Sequence, residues 1–546
     1  MSPPDIHRRW VLAAGAGLMV APAFAQTSAL AAAPVVETTS GRVRGRDDAG
    51  VLSFLGVPYG EPTGGANRFM PPKPRYPWPG VRDCLEYGNS APQVVGTPPA
   101  GHYPTPIPTS PPSPESEDCL MLNVWTPSTL GARAVMVWLH GGGLAYGSGS
   151  SRWTAGAAFA RRHDMVVVTI NHRLNTFGFT DLSAHGEQYA ASGNVSIADC
   201  ALALSWVRDN VGRFGGDPRR VMIVGESGGG SKVSTLMAFS PAKGLFHAAV
   251  TQSGVLLRAD DRERAAAKTQ RLLAELNLGP AEAVRLHDVP TEQLRAAGAR
   301  ANRGYGGWRP VIDGVQLARH PFDPDAPAMS RDVPLITGTN RTEESLFMGT
   351  DPAMDSLSNE GLRASIAAVV PPGEADRVLG IYKRLYAGHP NAEIAYCVAT
   401  DRGYFLDSTL MAERKAAAGG APAWSYVFAR ETPVQGGRYY APHASEIPFV
   451  FDTLNIAAAS SGPVTPAAQA LAVQMSTVWA NFAKSGMPSA PGLPAWPAYE
   501  PGRRATMVFD APGGGAVRDD PRSEERELMA GFGSRQLQPP TPAPVA

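Results

Sequence analysis

The chain has 546 residues, with 49 Lys plus Arg against 49 Asp plus Glu, so it carries no net charge. That balance argues against nucleic acid or an anionic membrane surface as a partner, because both demand a basic excess. Apolar residues make up 43%, enough to bury a large sheet, while 58 Gly and 51 Pro are spread along the whole length and give many loops around an ordered core rather than disorder.

In chain order, residues 1–33 read as a targeting segment. His7-Arg8-Arg9-Trp10 supplies a charged start, Val11 to Val20 is a short apolar run, and Ala23-Phe24-Ala25 offers the small residues that a signal peptidase reads. The run is too short to span a bilayer, and the Arg pair suggests the twin-arginine route. Export to the periplasm or beyond is therefore expected. The plain alternative is an Ala-rich tail on a cytoplasmic enzyme. No later stretch looks transmembrane, so stable membrane insertion is not expected, and 34–546 is read as a single catalytic domain.

Thr97 to Pro114 is loaded with Pro and reads as an extended surface loop. Short uninterrupted apolar runs come next at Ala134 to Leu139, Met165 to Ile170, Val221 to Val224, Ala248 to Thr251 and Val333 to Thr337. Continuous apolarity marks strands buried on both faces, as in a mainly parallel sheet. Between them Ile197 to Val211 has helical spacing until Gly212, and 351–420 reads as a mostly helical insertion capping the sheet. The pattern is α/β. The Pro-rich end, Gln538 to Ala546, reads as a frayed tail. Cys84, Cys119, Cys200 and Cys397 allow at most one bridge, and no His/Cys cluster with metal spacing appears.

Two glycine runs carry chemistry. Val137-Trp138-Leu139-His140-Gly141-Gly142-Gly143 is a strand opening into bare backbone. N–H groups can crowd an oxyanion only where side chains are absent, so Gly142 and Gly143 are oxyanion-hole candidates, with Gly228 as the third donor. Val221 to Gly229 is a strand running into Gly225-Glu226-Ser227-Gly228-Gly229, the nucleophile-elbow pattern, with Ser227 as nucleophile. A serine needs a base, and the base needs an acid. Past the Val333 strand, Glu343 and Glu344 compete for the acid. Among 11 histidines, His443 stands out in the loop Ala441 to Phe449, against His320 and His389 as surface residues.

These segments together resemble the type-B carboxylesterases, the α/β-hydrolases that include cholinesterases and bacterial para-nitrobenzyl esterases. The likeness runs from about Thr39 to Tyr499 through Phe54 to Tyr59, Ser116 to Leu120 with Leu122-Asn123-Val124, His140 to Gly143, Asn171 to Leu174, Asn210 to Pro218, Gly225 to Gly229, Gln252-Ser253-Gly254 and Trp479 to Ala483. The resemblance implies an α/β-hydrolase fold, with a large mostly parallel central sheet flanked by helices and with helical insertions over the active site. It also implies hydrolysis of small-molecule esters without a cofactor or metal. The family's Gly-x-Asn-x-Asp-Glu-Gly segment maps onto Gly338 to Glu344 and selects Glu343 as the acid, and its histidine matches His443. Thr342 and Glu344 depart from the usual Asp and Gly, and Gly228 replaces the usual Ala.

The family's bridging partner of Cys119 falls at Ala91, with Cys84 just upstream, so whether Cys84 and Cys119 form a bridge enclosing the Pro-rich loop is left open. No Trp lies between Cys84 and Cys119, which removes support for choline esters. Glu226, Arg173, Asp199 and Asp217 are expected to support the elbow and its loops, and Lys232 to lie on a solvated helix face rather than in the pocket. Cleavage of an amide, a carbamate or a bulky ester on the same machinery, or a non-catalytic binding role, are the rival expectations. A histidine base would give an acid limb near the reference value of about 6.5. Oligomeric state is left open.

Overall fold

The computed structural model describes residues 33–538, apart from 95, 97, 98, 108–112 and 511–513. The targeting segment, the tip of the Pro-rich loop and the Pro-rich end therefore lie outside the described residues, and those readings remain expectations. From Pro34 onward the chain packs as one compact unit.

Among the described residues eleven strands form one sheet: β1 (Arg46–Asp47), β2 (Leu52–Pro58), β3 (Met121–Thr126), β4 (Arg133–Leu139), β5 (Val166–Ile170), β6 (Gly216–Glu226), β7 (Ala248–Gln252), β8 (Leu335–Asn340), β9 (Ala423–Phe428), β10 (Ala505–Asp510) and β11 (Gly514–Asp519). Their order is β11-β10-β9-β8-β7-β6-β4-β5-β3-β2-β1. The block from β10 to β5 is parallel, and the strands beyond it at either edge pair antiparallel. Val35–Thr38, Gly41–Arg44 and Val81–Asp83 form a separate small sheet.

All five apolar runs read from the sequence are central strands. Alternation within them divides the core: Val135, Val137, Leu139, Val221 and Ile223 bury into one cluster, and Met136, Trp138, Met222, Val224 and Val250 into the cluster on the opposite face. Each such side chain contributes about 1.5–3 kcal/mol on leaving water. The run at Val333 starts two residues late, at Leu335, because Pro334 offers no N–H to the ladder. It then extends to Asn340, since Thr339 and Asn340 pair with Val427 and Phe428 despite their polarity.

Seven helices position the site: α1 (Val195–Asn210), α2 (Gly228–Leu236), α3 (Asn359–Ala367), α4 (Ala375–Leu385), α5 (Asn391–Thr400), α6 (Leu406–Ala417) and α7 (Pro466–Ser485). α1 covers the first core face through Ile197, Ala201 and Leu204, and α7 covers the second through Leu471, Met475 and Val478. α3 to α5 form the helical insertion, with their own core of Leu362, Ile366, Val378 and Ile394. Cys84 and Cys119 are both buried and free, so no bridge joins them. No helix among the described residues is long and apolar enough to cross a membrane.

The register brings the chemistry to one edge. Leu139 pairs with Gly225, Gly225 with Thr251, and Gln252 with Gly338, so β4, β6, β7 and β8 end side by side. In an open parallel sheet the carboxyl ends of adjacent strands are where ligand crevices form.

Candidate active site

Ser227 comes directly after β6 and immediately precedes α2, with φ 55° and ψ −123°, a conformation that costs a non-glycine residue of order 1–3 kcal/mol. Its N–H donates to the Gln252 carbonyl at 2.8 Å, which ties the turn to β7. The turn is so tight that a Cβ on Gly229 would lie 2.0 Å from the Leu139 carbonyl oxygen. Ser227 is thus held at the N-terminus of α2, where the helix end presents free N–H groups and partial positive charge.

Across a hundred residues of sequence, His443 Nδ1 meets Glu343 Oε2 at 2.6 Å. Glu343 is fully buried, and its other oxygen accepts from the Asn340 N–H at 2.7 Å, so the carboxylate is fixed at the end of β8. Glu344, the competing acid, makes no such contact. Thr342, where the family has Asp, joins the acid loop to the histidine loop: its hydroxyl accepts from the Ala441 N–H at 2.9 Å. Behind the pair, Glu446 accepts from Gln252 Nε2 at 3.0 Å and from Asn340 Nδ2 at 2.7 Å, and Trp479 Nε1 donates to Gln252 Oε1 at 3.0 Å. His320 and His389 sit elsewhere, against Arg258 and Glu393.

The other imidazole nitrogen corrects one sequence expectation. His443 Nε2 lies 3.1 Å from Glu226 Oε1, and neither atom has a hydrogen bond of good geometry within the protein. Glu226 is therefore part of the site rather than simple support for the elbow. Burial pushes its carboxyl up to about 8. For His443, burial acts to lower the value, but the neighbouring Glu226 and Glu343 carboxylates outweigh it and push the imidazole up to about 10. The remaining polar residues do act as supports. Arg173 and Asp199 form a buried two-point pair at 2.6 and 2.9 Å, and Asp217 accepts from the Arg219 N–H at 2.9 Å.

Lys232 also departs from expectation. It is fully buried, not solvated, and its Nζ donates to the His140 carbonyl at 2.8 Å. Burial lowers its ammonium to about 8. His140 stacks on His172 at 4.7 Å, and burial, together with the Lys232 charge, keeps both imidazoles well below their ordinary value. A buried cation thus anchors the residue that opens the glycine run.

Gly142 and Gly143 both have positive φ, 87° and 62°. The N–H groups of Gly142, Gly143 and Gly228 donate no hydrogen bond among the described residues, which leaves them open to a ligand. Gly228 has a stronger role than added backbone freedom. A Cβ there would lie 1.5 Å from the Gly143 carbonyl oxygen, so the family's usual Ala cannot occupy this arrangement.

Ser227, His443, Glu226 and the three glycines line one cavity of about 1210 Å³. Two aromatic rings flank His443, Phe347 at 5.3 Å and Tyr404 at 5.1 Å between centroids. Tyr404 had no signal in the sequence. It is presented by a single π-helical turn, Asp401–Phe405, between α5 and α6, and such widened turns bulge a helix toward a functional site. No group of His, Cys, Asp and Glu among the described residues could hold a metal ion.

A family model described as the carboxylesterase family matches residues 32–526. The chain belongs to the carboxylesterase family. It is 33% identical to the para-nitrobenzyl esterase of Bacillus subtilis (strain 168) over 504 residues, covering 91% of this chain and 98% of that one. Identity to the phenmedipham hydrolase of Pseudarthrobacter oxydans is 33% over 507 residues, covering 89% and 97%. Among solved structures, a carboxylesterase of Geobacillus stearothermophilus superimposes with a TM-score of 0.78 at 37% identity, covering 91% and 99%. An esterase from Clostridium hathewayi, which hydrolyses aliphatic aromatic polyesters, does so with a TM-score of 0.76 at 33% identity, covering 91% and 98%. The protein is a carboxylic ester hydrolase with the α/β-hydrolase fold.

Proposed function

We propose that this carboxylesterase works through an acyl-enzyme on Ser227, with His443 as general base, Glu343 as the acid that orients it, and the N–H groups of Gly142, Gly143 and Gly228 as the oxyanion hole. The observation that carries this reading is the 2.6 Å contact of His443 Nδ1 with the buried Glu343 in the cavity that also holds Ser227. That contact fixes the imidazole so that Nε2 faces the cavity. Ser227 Oγ attacks the ester carbonyl while Nε2 takes its proton, and the same proton then passes to the departing alcohol. Water repeats the sequence on the acyl-enzyme, releasing the acid and restoring Ser227. Among the described residues no hydrogen bond joins Ser227 to His443, whose Nε2 lies 3.1 Å from Glu226 Oε1; catalytic hydrogen bonds commonly tighten only in the substrate complex, and the reading requires Nε2 to turn from Glu226 to Ser227 there.

Replacing Ser227 or His443 by Ala should lower turnover of para-nitrophenyl acetate by roughly 10⁴ to 10⁶. Near-wild-type hydrolysis by Ser227→Ala would overturn the assignment, and failure of an organophosphonate to label Ser227 would favour a binding role. The cavity exceeds the usual span of about 300–1,000 Å³ for small-ligand sites, which favours bulky esters over acetate as the better substrates. A carbamate is a second candidate on the same machinery, suggested by the relative named for phenmedipham. The leader read in residues 1–33 supports export as the setting for this activity.

A further inference from the structure

Three arginines line the catalytic cavity, and they differ in how their charge is matched. Arg152 is exposed to water. Arg295 binds Glu115 at 3.0 Å and also pairs with Glu292. Arg309 is partly shielded from water and has no carboxylate within 4 Å among the described residues. Its single hydrogen bond runs from Nη1 to the Arg258 carbonyl at 3.1 Å, so Nε and Nη2 donate to nothing among the described residues.

The carboxylates nearest in field to Arg309 are already engaged. Asp260 holds Lys268 at 2.6 Å and Arg264 at 3.3 Å. Asp407 accepts from Ser534 Oγ at 2.5 Å and from Gln536 Nε2 at 2.6 Å. Arg402 also acts on Asp407, so behind the cavity wall Lys268, Arg264 and Arg402 already draw on the two carboxylates whose field reaches Arg309. Burial lowers the Arg309 guanidinium from its ordinary value, with Asp260 acting the other way, as befits a cation short of a partner. Desolvating a cation without a matched counter-charge is costly, and a guanidinium fork is the group that best accepts a carboxylate at two points. The other acid facing the cavity, Glu226, lies 3.1 Å from His443 Nε2, so its charge is matched there and not at Arg309.

The backbone ties this arginine to the nucleophile. Gly254 packs so closely on Ser227 that a Cβ there would lie 1.7 Å from the Ser227 carbonyl oxygen, and four residues later Arg258 receives the Arg309 bond. Four residues span at most about 14 Å. Immediately before that segment, Ser253 has a buried hydroxyl, 1% exposed, that lines the cavity and has no hydrogen-bond partner among the described residues. On the far side, Arg309 is held in place because the Asp260 N–H donates to the Pro310 carbonyl at 2.8 Å and the Ile312 N–H to the Asp260 carbonyl at 2.9 Å.

We propose that Arg309 forms an anion subsite in the catalytic cavity, selecting esters that carry an ionised carboxylate away from the scissile bond. This rests on the esterase reading of Ser227. The negative group can sit on the acyl or the alcohol side, and two substrate pairs distinguish them. The acyl pair is mono-4-nitrophenyl adipate with 4-nitrophenyl hexanoate, and the alcohol pair is 4-acetoxybenzoate with its methyl ester.

In one pair, Arg309→Met should lower kcat/KM for the anionic member by about tenfold or more, the size of a charge-assisted hydrogen bond, while the neutral member stays within about twofold. Arg309→Lys, which keeps a point charge but loses the fork, should fall between, and serves as the variant to read if Arg309→Met fails to fold. Equal losses on both members of each pair, or no loss on either, would overturn the subsite. The esterase reading fails separately: then the neutral esters themselves are not cleaved, or are cleaved independently of Ser227.

Discussion

The imidazole of His443 must be neutral to accept a proton, so its protonation sets the acid limb of the rate profile. Burial favours the neutral form, yet Glu226 and Glu343 stabilise the cation more strongly and raise the value above the reference of about 6.5. Glu226, itself pushed up to about 8, lies 3.1 Å away, so the two groups titrate as a pair and not as separate sites. Because the protonated imidazole is inactive, kcat/KM rises as pH increases through a midpoint above 6.5. In Glu226→Gln the carboxylate is gone, His443 loses stabilisation of its charged form, and the midpoint should fall by roughly one to three units. A pH profile of kcat/KM for wild type and variant checks this, and superimposable acid limbs would refute a coupling between them. Ser227 was legible in the sequence because the strand, turn and glycines that make an elbow are all local. The pairing of Glu343 with His443 was not, since the contact spans a hundred residues and adjacent glutamates look alike; only the family likeness separated them. Glu226 and Lys232 were read as support and as surface because burial of a charged side chain leaves no periodic mark when every neighbour is also buried.

At the scale of elements, the site is made by three strand ends, β4, β6 and β8, and by the glycine run, the elbow and the acid loop that leave them. The parallel order of these strands was legible from their unbroken Val and Ile runs, and the helical insertion from its lack of such runs. The π turn that carries Tyr404 was not, because its residues satisfy ordinary helical spacing until the extra one is accommodated. The loop after β4 depends on a long-range fit in the same way. Lys232 of α2 fixes its start through the His140 carbonyl, and Gly228 of α2 leaves room for the Gly143 carbonyl where any side chain would collide. Gly228→Ala therefore has to push Gly143 away and disturb two of the three donors. Turnover should fall by about 10² or more, the effect of losing one oxyanion donor, with a smaller change in KM. Steady-state kinetics on a para-nitrophenyl ester test this. A kcat within twofold of wild type would mean that the glycine loop is free to move without cost to the reaction.

For the whole molecule, everything the proposed reaction needs is contained in the unit that starts at Pro34. That residue's carbonyl accepts from the Gly45 N–H at 2.9 Å, and Val35–Thr38 is the first strand of the small sheet, paired along its length with Gly41–Arg44. Among the described residues the cavity lining begins at Val94. A leader is selected for passage and removal and not for packing, so its loss should leave folding and catalysis intact. A chain starting at Pro34 is expected to keep kcat within about twofold of wild type and the same thermal midpoint. In cells, the full chain should yield an exported protein whose first residue is Gln26, just past the Ala23-Phe24-Ala25 site, and Lys in place of both Arg8 and Arg9 should hold the precursor in the cytoplasm. N-terminal sequencing of the exported fraction and an activity assay on both compartments measure these outcomes together. If the shortened chain aggregates or loses activity, residues 1–33 belong to the folded enzyme. If the Lys variant is exported normally, the route does not read the arginine pair, and the signal lies in the apolar run alone.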